Sequence, residues 1–319
     1  MAGLSADGRR VDLHVHTTAS DGQLGPAEVV ARAAAAGLAA VAIADHETIA
    51  GLGPALKAAA DHPGLAVVPA IEINTDQPGS KFEVHVLGYF FDPQEEALTE
   101  FLAAQASSRI ERAQEMLAKL KRLGYEIEWE RVQRLAAGAI ITRPHIAAAL
   151  AERGYVRDLG EAMGSLLAMG GPAYVPRRKV TPAEAVAVIR GAGGAPVLAH
   201  PLTAGDDRLA AELADAGLMG LEVYHPLHSP ADERRYRRLA RRLDLLVTGG
   251  SDYHGPAFGG PPIGDIWVSG EVIKQMLDRL PAGQGEWSCA RTSEMYLSTC
   301  AKKARTMPTC GSPIYSSNH

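Results

Sequence analysis

Residues 11–16 read VDLHVH. The alternation of Val11, Leu13 and Val15 with Asp12, His14 and His16 is the two-residue period of a strand. Residues two apart in an extended chain face the same side, so His14 and His16 can point together at one cation. Outward from this segment, short apolar runs alternate with Ala-rich helical stretches: a helix over 26–37, a strand over 39–45, a helix near 53–61 and a strand over 65–73. That rhythm implies parallel strands joined by helices.

Residues 82–89 read as a further strand, and after Phe91 a long amphipathic helix over 98–123 ends at Gly124. From about 98 to 171 the chain is mostly helical and lacks dense His/Asp clusters, the mark of an inserted cap. The strand–helix rhythm resumes with Thr181 as N-cap and Pro182 at the first helical position. Strands over 196–200, 220–224 and 245–251 then alternate with helices over 207–217 and 231–243. About seven strands, each followed by a helix or loop, favour an α/β fold with a closed or nearly closed (β/α) barrel over an open doubly wound sheet. The expected division is 1–97 for the first part of the barrel, 98–180 for the helical cap, 181–280 for the second part and 281–319 for an irregular tail rich in Ser, Thr, Cys and Lys.

The 319 residues suffice for one barrel of roughly 250 residues with an insertion. With 46% hydrophobic and 22% charged residues, mean hydropathy −0.05 and no long apolar segment, a soluble globular protein without a membrane span is expected. Cys289, Cys300 and Cys310 all lie in the tail without C-x-x-C spacing. No charged and then apolar leader precedes the first strand, so a cytoplasmic location is expected. The net charge of −5 gives no sign of a nucleic-acid-coating protein, and the basic runs at 177–179 and 234–242 read as solvated faces. No obligate protein partner is expected.

Metal-capable residues fall at the ends of nearly every expected strand, where a site at a barrel mouth requires them. His14 and His16 end the first, with Asp21 in the loop after it. Asp45 and His46 end the second, Glu72 ends the third, and His85 lies within the fourth. His200 ends the strand at 196–200, and TGGSDYHG (248–255) adds Asp252 and His254, again two apart. His14, His16, His46, His85, His200, His254, Asp21, Glu72 and Asp252 form a borderline-hard set suited to Zn, Mn or Fe. Nine ligands are too many for one ion and would serve two or three divalent cations. His62, His228 and His319 read as ordinary polar residues.

These segments resemble the PHP (polymerase and histidinol phosphatase) family, through DLHVHTTASDG (12–22), ADHET (44–48), EIN (72–74), HVLGY (85–89), LAHP (198–201) and GSDYHG (250–255). The resemblance covers about residues 11–264 and implies a distorted (β/α)7 barrel carrying a trinuclear site. His14, His16, Glu72 and Asp252 would hold one ion, Glu72, His85 and His200 a second, and Asp21, His46 and His254 a third, with Glu72 bridging the first two.

The chemistry expected is metal-dependent phosphate ester hydrolysis, in which a hydroxide bridging two cations attacks phosphorus, because coordination lowers the pKa of water to around 7. His225, in EVYHP, is a candidate proton donor to the leaving alkoxide, or else an orienting residue. Arg143, in ITRPH (141–145), could fork onto a substrate phosphate at the start of a helix, with His145 beside it. The length, the cap after HVLGY and the TRPHIA segment resemble bacterial enzymes that hydrolyse 3′,5′-nucleotide bisphosphates and short RNA 5′ ends. A small nucleotide is therefore the expected substrate, with short 5′-phosphorylated RNA as a second. Three alternatives stand beside this reading. A histidinol-phosphate-type phosphomonoesterase would share the ligands. An amidohydrolase would also place H-x-H on its first strand, but many use a carboxylated lysine at a later strand end, and none stands there. A non-catalytic PHP module would show missing ligands and an attached polymerase domain.

Overall fold

The computed structural model describes residues 8–77, 83–136, 141–176 and 180–281. Phe82, the basic run at 177–179 and residues 282–319 of the expected tail, with the three cysteines, lie outside them. Eight strands, β1 (Arg10–Val15), β2 (Ala40–Ile43), β3 (Ala66–Thr75), β4 (Val84–Tyr89), β5 (Ala195–Leu198), β6 (Gly220–Tyr224), β7 (Leu246–Gly249) and β8 (Val268–Ser269), form one sheet in the order β7-β6-β5-β4-β3-β2-β1-β8. At the mouth the ring is brought together by a parallel bridge between Val15 and Tyr253, where the His16 N–H donates to the Tyr253 carbonyl at 3.0 Å. The result is a nearly closed, distorted (β/α) barrel.

Two features depart from the sequence reading. β4 runs antiparallel to both β3 and β5. β3 ends at Thr75 and β4 begins at Val84, a connection too short for the helical crossover that a parallel pair needs. The eighth strand, β8, pairs antiparallel with the start of β1 through Arg10 and Val11. At two residues it is too short to leave a periodic signal.

The outer layer consists of α1 (Pro26–Ala35) and α2 (Leu52–Ala59) over the first strands, and α7 (Pro182–Gly191), α8 (Asp207–Asp215) and α9 (Pro230–Arg242) over the later ones. Each of α1, α7 and α9 starts on a proline, whose fixed φ suits the first turn and whose missing N–H is no loss there. The Thr181 N-cap is as the sequence implies: the Glu184 N–H donates to Thr181 Oγ1 at 3.2 Å and the Thr181 N–H to Glu184 Oε2 at 2.7 Å. Inside the barrel Val11, Leu13, Leu87, Tyr89 and Val197 pack with Ile273 and Met276 of α10 (Glu271–Arg279), which plugs the end opposite the mouth. The mouth is thus the side left for chemistry.

The cap comprises α3 (Glu96–Arg122), α4 (Trp129–Ala136), α5 (Arg143–Glu152) and α6 (Leu159–Gly164). Met116, Leu120, Val132, Ile146, Leu150 and Leu167 give it a hydrophobic core of its own. The first turns of α3 belong instead to the barrel, since Leu98 and Leu102 pack beside Phe91 and the residues under α1 and α2. α3 is shared, and its cap-building part starts at Ala113. Among the described residues no helix is long and apolar enough to cross a membrane.

Candidate metal centre

The alternation in VDLHVH is broken by a register shift in β1 between Asp12 and Val15. Val11 and Leu13 pack inside the barrel, whereas Val15 joins the layer under α1 and α2. Such irregularities occur at barrel rims and re-aim side chains. Here the shift turns His14 and His16 into the mouth, with ring centroids 5.1 Å apart. Asp12 fastens this end of the strand to the chain after β7. Its Oδ1 accepts the Ser251 N–H at 3.0 Å, its Oδ2 accepts the Gly264 N–H at 2.9 Å, and burial raises its pKa to about 6 against those bonds. Gly250 makes that approach feasible, because a Cβ there would overlap the His14 amide nitrogen.

The nine residues singled out in the sequence come together at this mouth. His16 Nε2 lies 3.1 Å from Asp252 Oδ1, and the His16 and His254 rings stack with centroids 4.0 Å apart. Glu72 is buried at the centre. Its Oε1 lies 2.8 Å from His85 Nδ1 and 3.1 Å from His200 Nε2, and its Oε2 lies 3.0 Å from His46 Nδ1 and 3.3 Å from both His14 Nε2 and His16 Nε2. Asp21 faces His46 at 3.6 Å and His254 at 3.4 Å. His85, the one candidate that lies within an expected strand and not at its end or just after it, reaches the mouth because β4 is reversed: its N-terminal end lies where the other strands finish.

Donor atoms within 4.8 Å of one another gather in sets that include His16, Asp21, His46 and His254; His14, His16 and Glu72; and His46, Glu72 and His85. His14 Nε2, His16 Nδ1, His46 Nδ1, Asp21 Oδ1 and Glu72 Oε2 are buried without a hydrogen-bond partner. Buried polar atoms are rarely left unsatisfied. Five such atoms converging on one pocket, all imidazole nitrogens or carboxylate oxygens, fit divalent cations.

Surrounding groups fix which nitrogen of each ring faces inward. His14 Nδ1 lies 3.0 Å from Glu222 Oε1 and donates to it, which leaves Nε2 facing Glu72. Glu222 Oε2 also accepts the His200 N–H at 2.9 Å. His254 Nδ1–H donates to the Asp252 carbonyl at 2.9 Å, leaving Nε2 toward Asp21. Asp45 organises the loop that carries Asp21: it accepts the Thr17 N–H at 2.8 Å, the Thr17 hydroxyl at 2.7 Å and the Ser20 hydroxyl at 2.6 Å. Glu47, His200 and Asp252 have φ of 52°, 24° and 49°, a left-handed conformation costly for non-glycine residues that concentrates at functional sites.

Electrostatics follow from this packing. Burial opposes charge on His85 and His254, but the carboxylates of Glu72 and Glu83 beside the first, and of Asp21 and Asp252 beside the second, outweigh it and raise both to about 9. His46 is pushed down to about 3 by burial and by the neighbouring His16 and His85, against the pull of Glu72 and Asp21. Burial would raise Glu72 and Asp252, yet the facing histidines hold both well below the usual carboxylate range.

His225 is buried, with its ring centroid 5.1 Å from that of His200. Its Nδ1 accepts the Leu227 N–H at 3.2 Å, so the proton is on Nε2, which donates to Asp252 Oδ2 at 3.2 Å. His228 donates from Nδ1 to the Val223 carbonyl at 2.8 Å. In the cap, Arg143 donates to the Leu167 carbonyl at 3.3 Å and its guanidinium lies 5.9 Å from the centre of the Tyr174 ring. His145 Nδ1 accepts the Thr142 N–H at 3.0 Å, and His145 is close enough to Asp21 to feel its charge.

The sequence reading assigned no role to two further groups. Glu222 is fully buried under His14, and its signal was available, as the only charged residue of GLEVY (Gly220–Tyr224). Arg109 descends from α3 to Glu47, with Nε 2.6 Å from Oε2, and to Asn74 Oδ1 at 3.5 Å; the Asn74 side-chain nitrogen lies 2.9 Å from His85 Nε2. Nothing distinguishes Arg109 from the other charges of a long helix. Glu222→Gln is expected to weaken metal binding by about 10- to 100-fold, as loss of the partner of a ligating histidine does. A competitive chelator titration of the variant checks this, with unchanged affinity as the contrary result.

A barrel whose mouth gathers six imidazoles and three carboxylates, several of them buried without partners, belongs to the class of metal-dependent hydrolases. The PHP domain model matches residues 12–154. The chain is 35% identical over 260 residues to the 3′,5′-nucleoside bisphosphate phosphatase of Chromobacterium violaceum, covering 80% of this chain and 90% of that protein. It is 37% identical over 284 residues to the 5′-3′ exoribonuclease Rnm of Escherichia coli, covering 86% and 92%. A solved structure of a candidate metal-dependent phosphoesterase from Bifidobacterium adolescentis superposes with a TM-score of 0.75 at 32% identity, covering 86% of this chain and 98% of that one. The chain belongs to the PHP-domain family and is a metal-dependent phosphoesterase, a hydrolase of phosphoric esters.

Proposed function

We propose that this enzyme removes the 3′-phosphate of 3′,5′-nucleotide bisphosphates and also acts on short 5′-phosphorylated RNA, in the cytoplasm, with two or three Mn, Fe or Zn ions at the barrel mouth. The observation that carries the reading is the division of Glu72, one oxygen facing His85 and His200 and the other facing His14, His16 and His46. A carboxylate so placed suits two adjacent cations. His14, His16, Glu72 and Asp252 would hold one ion, Glu72, His85 and His200 a second, and Asp21, His46 and His254 a third. His16 faces both Glu72 and Asp21, and so lies between the first and third groups. When bound, such cations lower the pKa of water and neutralise the phosphoryl oxygens.

The chain's own groups do the rest. Glu222 keeps the His14 proton on Nδ1, and the Asp252 carbonyl keeps that of His254 on Nδ1, so both rings present Nε2 to the pocket. With its Nε2 proton on Asp252, His225 orients that carboxylate; we assign it this positioning role in place of the proton-donor role. Arg143, at the start of α5, would receive the phosphate that the metal centre does not, aided by the helix N-terminus and His145. Arg143→Ala is expected to lower kcat/KM for 3′,5′-bisphosphoadenosine about tenfold or more, the scale of one charged hydrogen bond, and that for p-nitrophenyl phosphate far less. Equal losses on both would remove Arg143 from the substrate site.

Nucleotide relatives favour this substrate over an amino-alcohol phosphate. The deciding experiment compares 3′,5′-bisphosphoadenosine, a 5′-phosphorylated oligoribonucleotide and histidinol phosphate with the metal-loaded enzyme. Preference for the first two is expected. Preference for histidinol phosphate would overturn the proposal.

A further inference from the structure

We propose that Phe258 is a stacking platform for the base of a nucleotide substrate, so that the loop after β7 supplies a nucleobase subsite beside the metal centre. This rests on the nucleotide reading above and adds a recognition element to it.

Phe258 is 62% exposed, one of the most exposed large hydrophobic side chains among the described residues. It does not sit on a remote surface. Its ring centroid is 5.5 Å from that of His254, which stacks on His16. Three rings therefore lead outward from the buried cluster to solvent, with Phe258 as the last.

The turn that carries the ring is also held in place. Phe258 ends a short 3-10 turn, Pro256–Phe258, in which its N–H donates to the Gly255 carbonyl at 3.2 Å. The turn is tied to the loop after β1 on both sides of Gly255: the Gln23 N–H donates to the His254 carbonyl at 2.7 Å, and Gln23 Oε1 accepts the Ala257 N–H at 3.0 Å. Gly255, at φ 128°, lies so close to Gln23 that a Cβ would collide with its side chain. A turn fixed before the ligand arrives leaves less conformational freedom to be given up on binding.

A nucleotide with a phosphate among His14, His16, Asp21 and His254 carries its base one sugar away. Among the described residues, Phe258 is an exposed aromatic ring in direct ring contact with a residue of that group, His254. Stacking on a phenyl ring tolerates any base, because every base has a π-face, and phenylalanine offers no hydrogen bond with which to choose among them. The ligand class is thus a nucleoside phosphate of any base.

The test is steady-state kinetics of F258A and F258W on 3′,5′-bisphosphoadenosine and on the corresponding base-free ribose bisphosphate. F258A is expected to raise KM for the nucleotide by about 5- to 100-fold relative to the base-free compound, the range found when a stacking aromatic is removed. kcat should change little, and F258W should restore KM. Equal changes on the two compounds, an unchanged KM for the nucleotide, or failure of tryptophan to restore it would overturn the platform alone. A wild-type enzyme that ignores the nucleotide and turns over histidinol phosphate overturns the substrate reading and the platform with it.

Discussion

Glu72→Gln is expected to lower kcat/KM for every phosphoester substrate by about 10³-fold or more, with the fold retained. The size of the effect follows from how many groups depend on one side chain. Glu72 is 1% exposed, and its two oxygens face five imidazoles between 2.8 and 3.3 Å. Glutamine keeps the shape but removes the charge, and it replaces one oxygen with an NH₂ group that cannot ligate a cation. Whichever way the amide turns, one cation position loses its donor. Lowering the pKa of coordinated water from about 15.7 toward 7 is where most of the nucleophile comes from at neutral pH, so losing an ion removes orders of magnitude. The check is kinetics together with metal content per chain and a thermal melt. Activity within tenfold of wild type at full metal content would contradict the proposed role of Glu72 as a ligand shared between cations.

Removing the metal is the second large effect. Dialysis against a chelator is expected to abolish turnover, and reloading with Mn²⁺ or Zn²⁺ to restore it with release of protons. Without metal, His85 and His254 titrate near 9 because carboxylates outweigh the effect of burial on each, so both carry a proton at pH 7. A ligating imidazole nitrogen must be unprotonated. The sign is therefore fixed: affinity rises as pH increases toward 9, by up to about tenfold per pH unit for each proton displaced, and levels off above it. Titration calorimetry in buffers of different ionisation enthalpy reads the proton count. Binding without proton release between pH 6 and 8 would contradict this.

Much of the centre was legible because its chemistry follows strand geometry. His14 with His16 and Asp252 with His254 are spaced two apart, and His46, Glu72 and His200 close apolar runs, so a barrel would bring them to one rim whatever its details. What the pattern could not convey came from tertiary structure. Periodicity does not encode direction, so the reversal of β4 went unread, and with it the reason why His85 sits at the beginning of its strand and still reaches the pocket. The register shift in β1 was likewise hidden, because VDLHVH looks like an unbroken alternation while Leu13 and His14 both serve the interior. Glu222 could have been found as a lone charge in an apolar strand. Arg109 could not, since only the packing of the shared helix α3 against the barrel brings it to Glu47. His225 was legible as a residue of the site, but its role depends on the Leu227 N–H, which a sequence does not reveal.

The central claim is that nine side chains from seven parts of the chain form one centre for several cations. Anomalous diffraction from crystals of the active enzyme grown with Mn²⁺ tests it most directly. At least two peaks are predicted within bonding distance of these residues, with Glu72 between two of them. A fully active enzyme showing a single peak, or peaks away from His14, His16, Glu72 and Asp252, would contradict it.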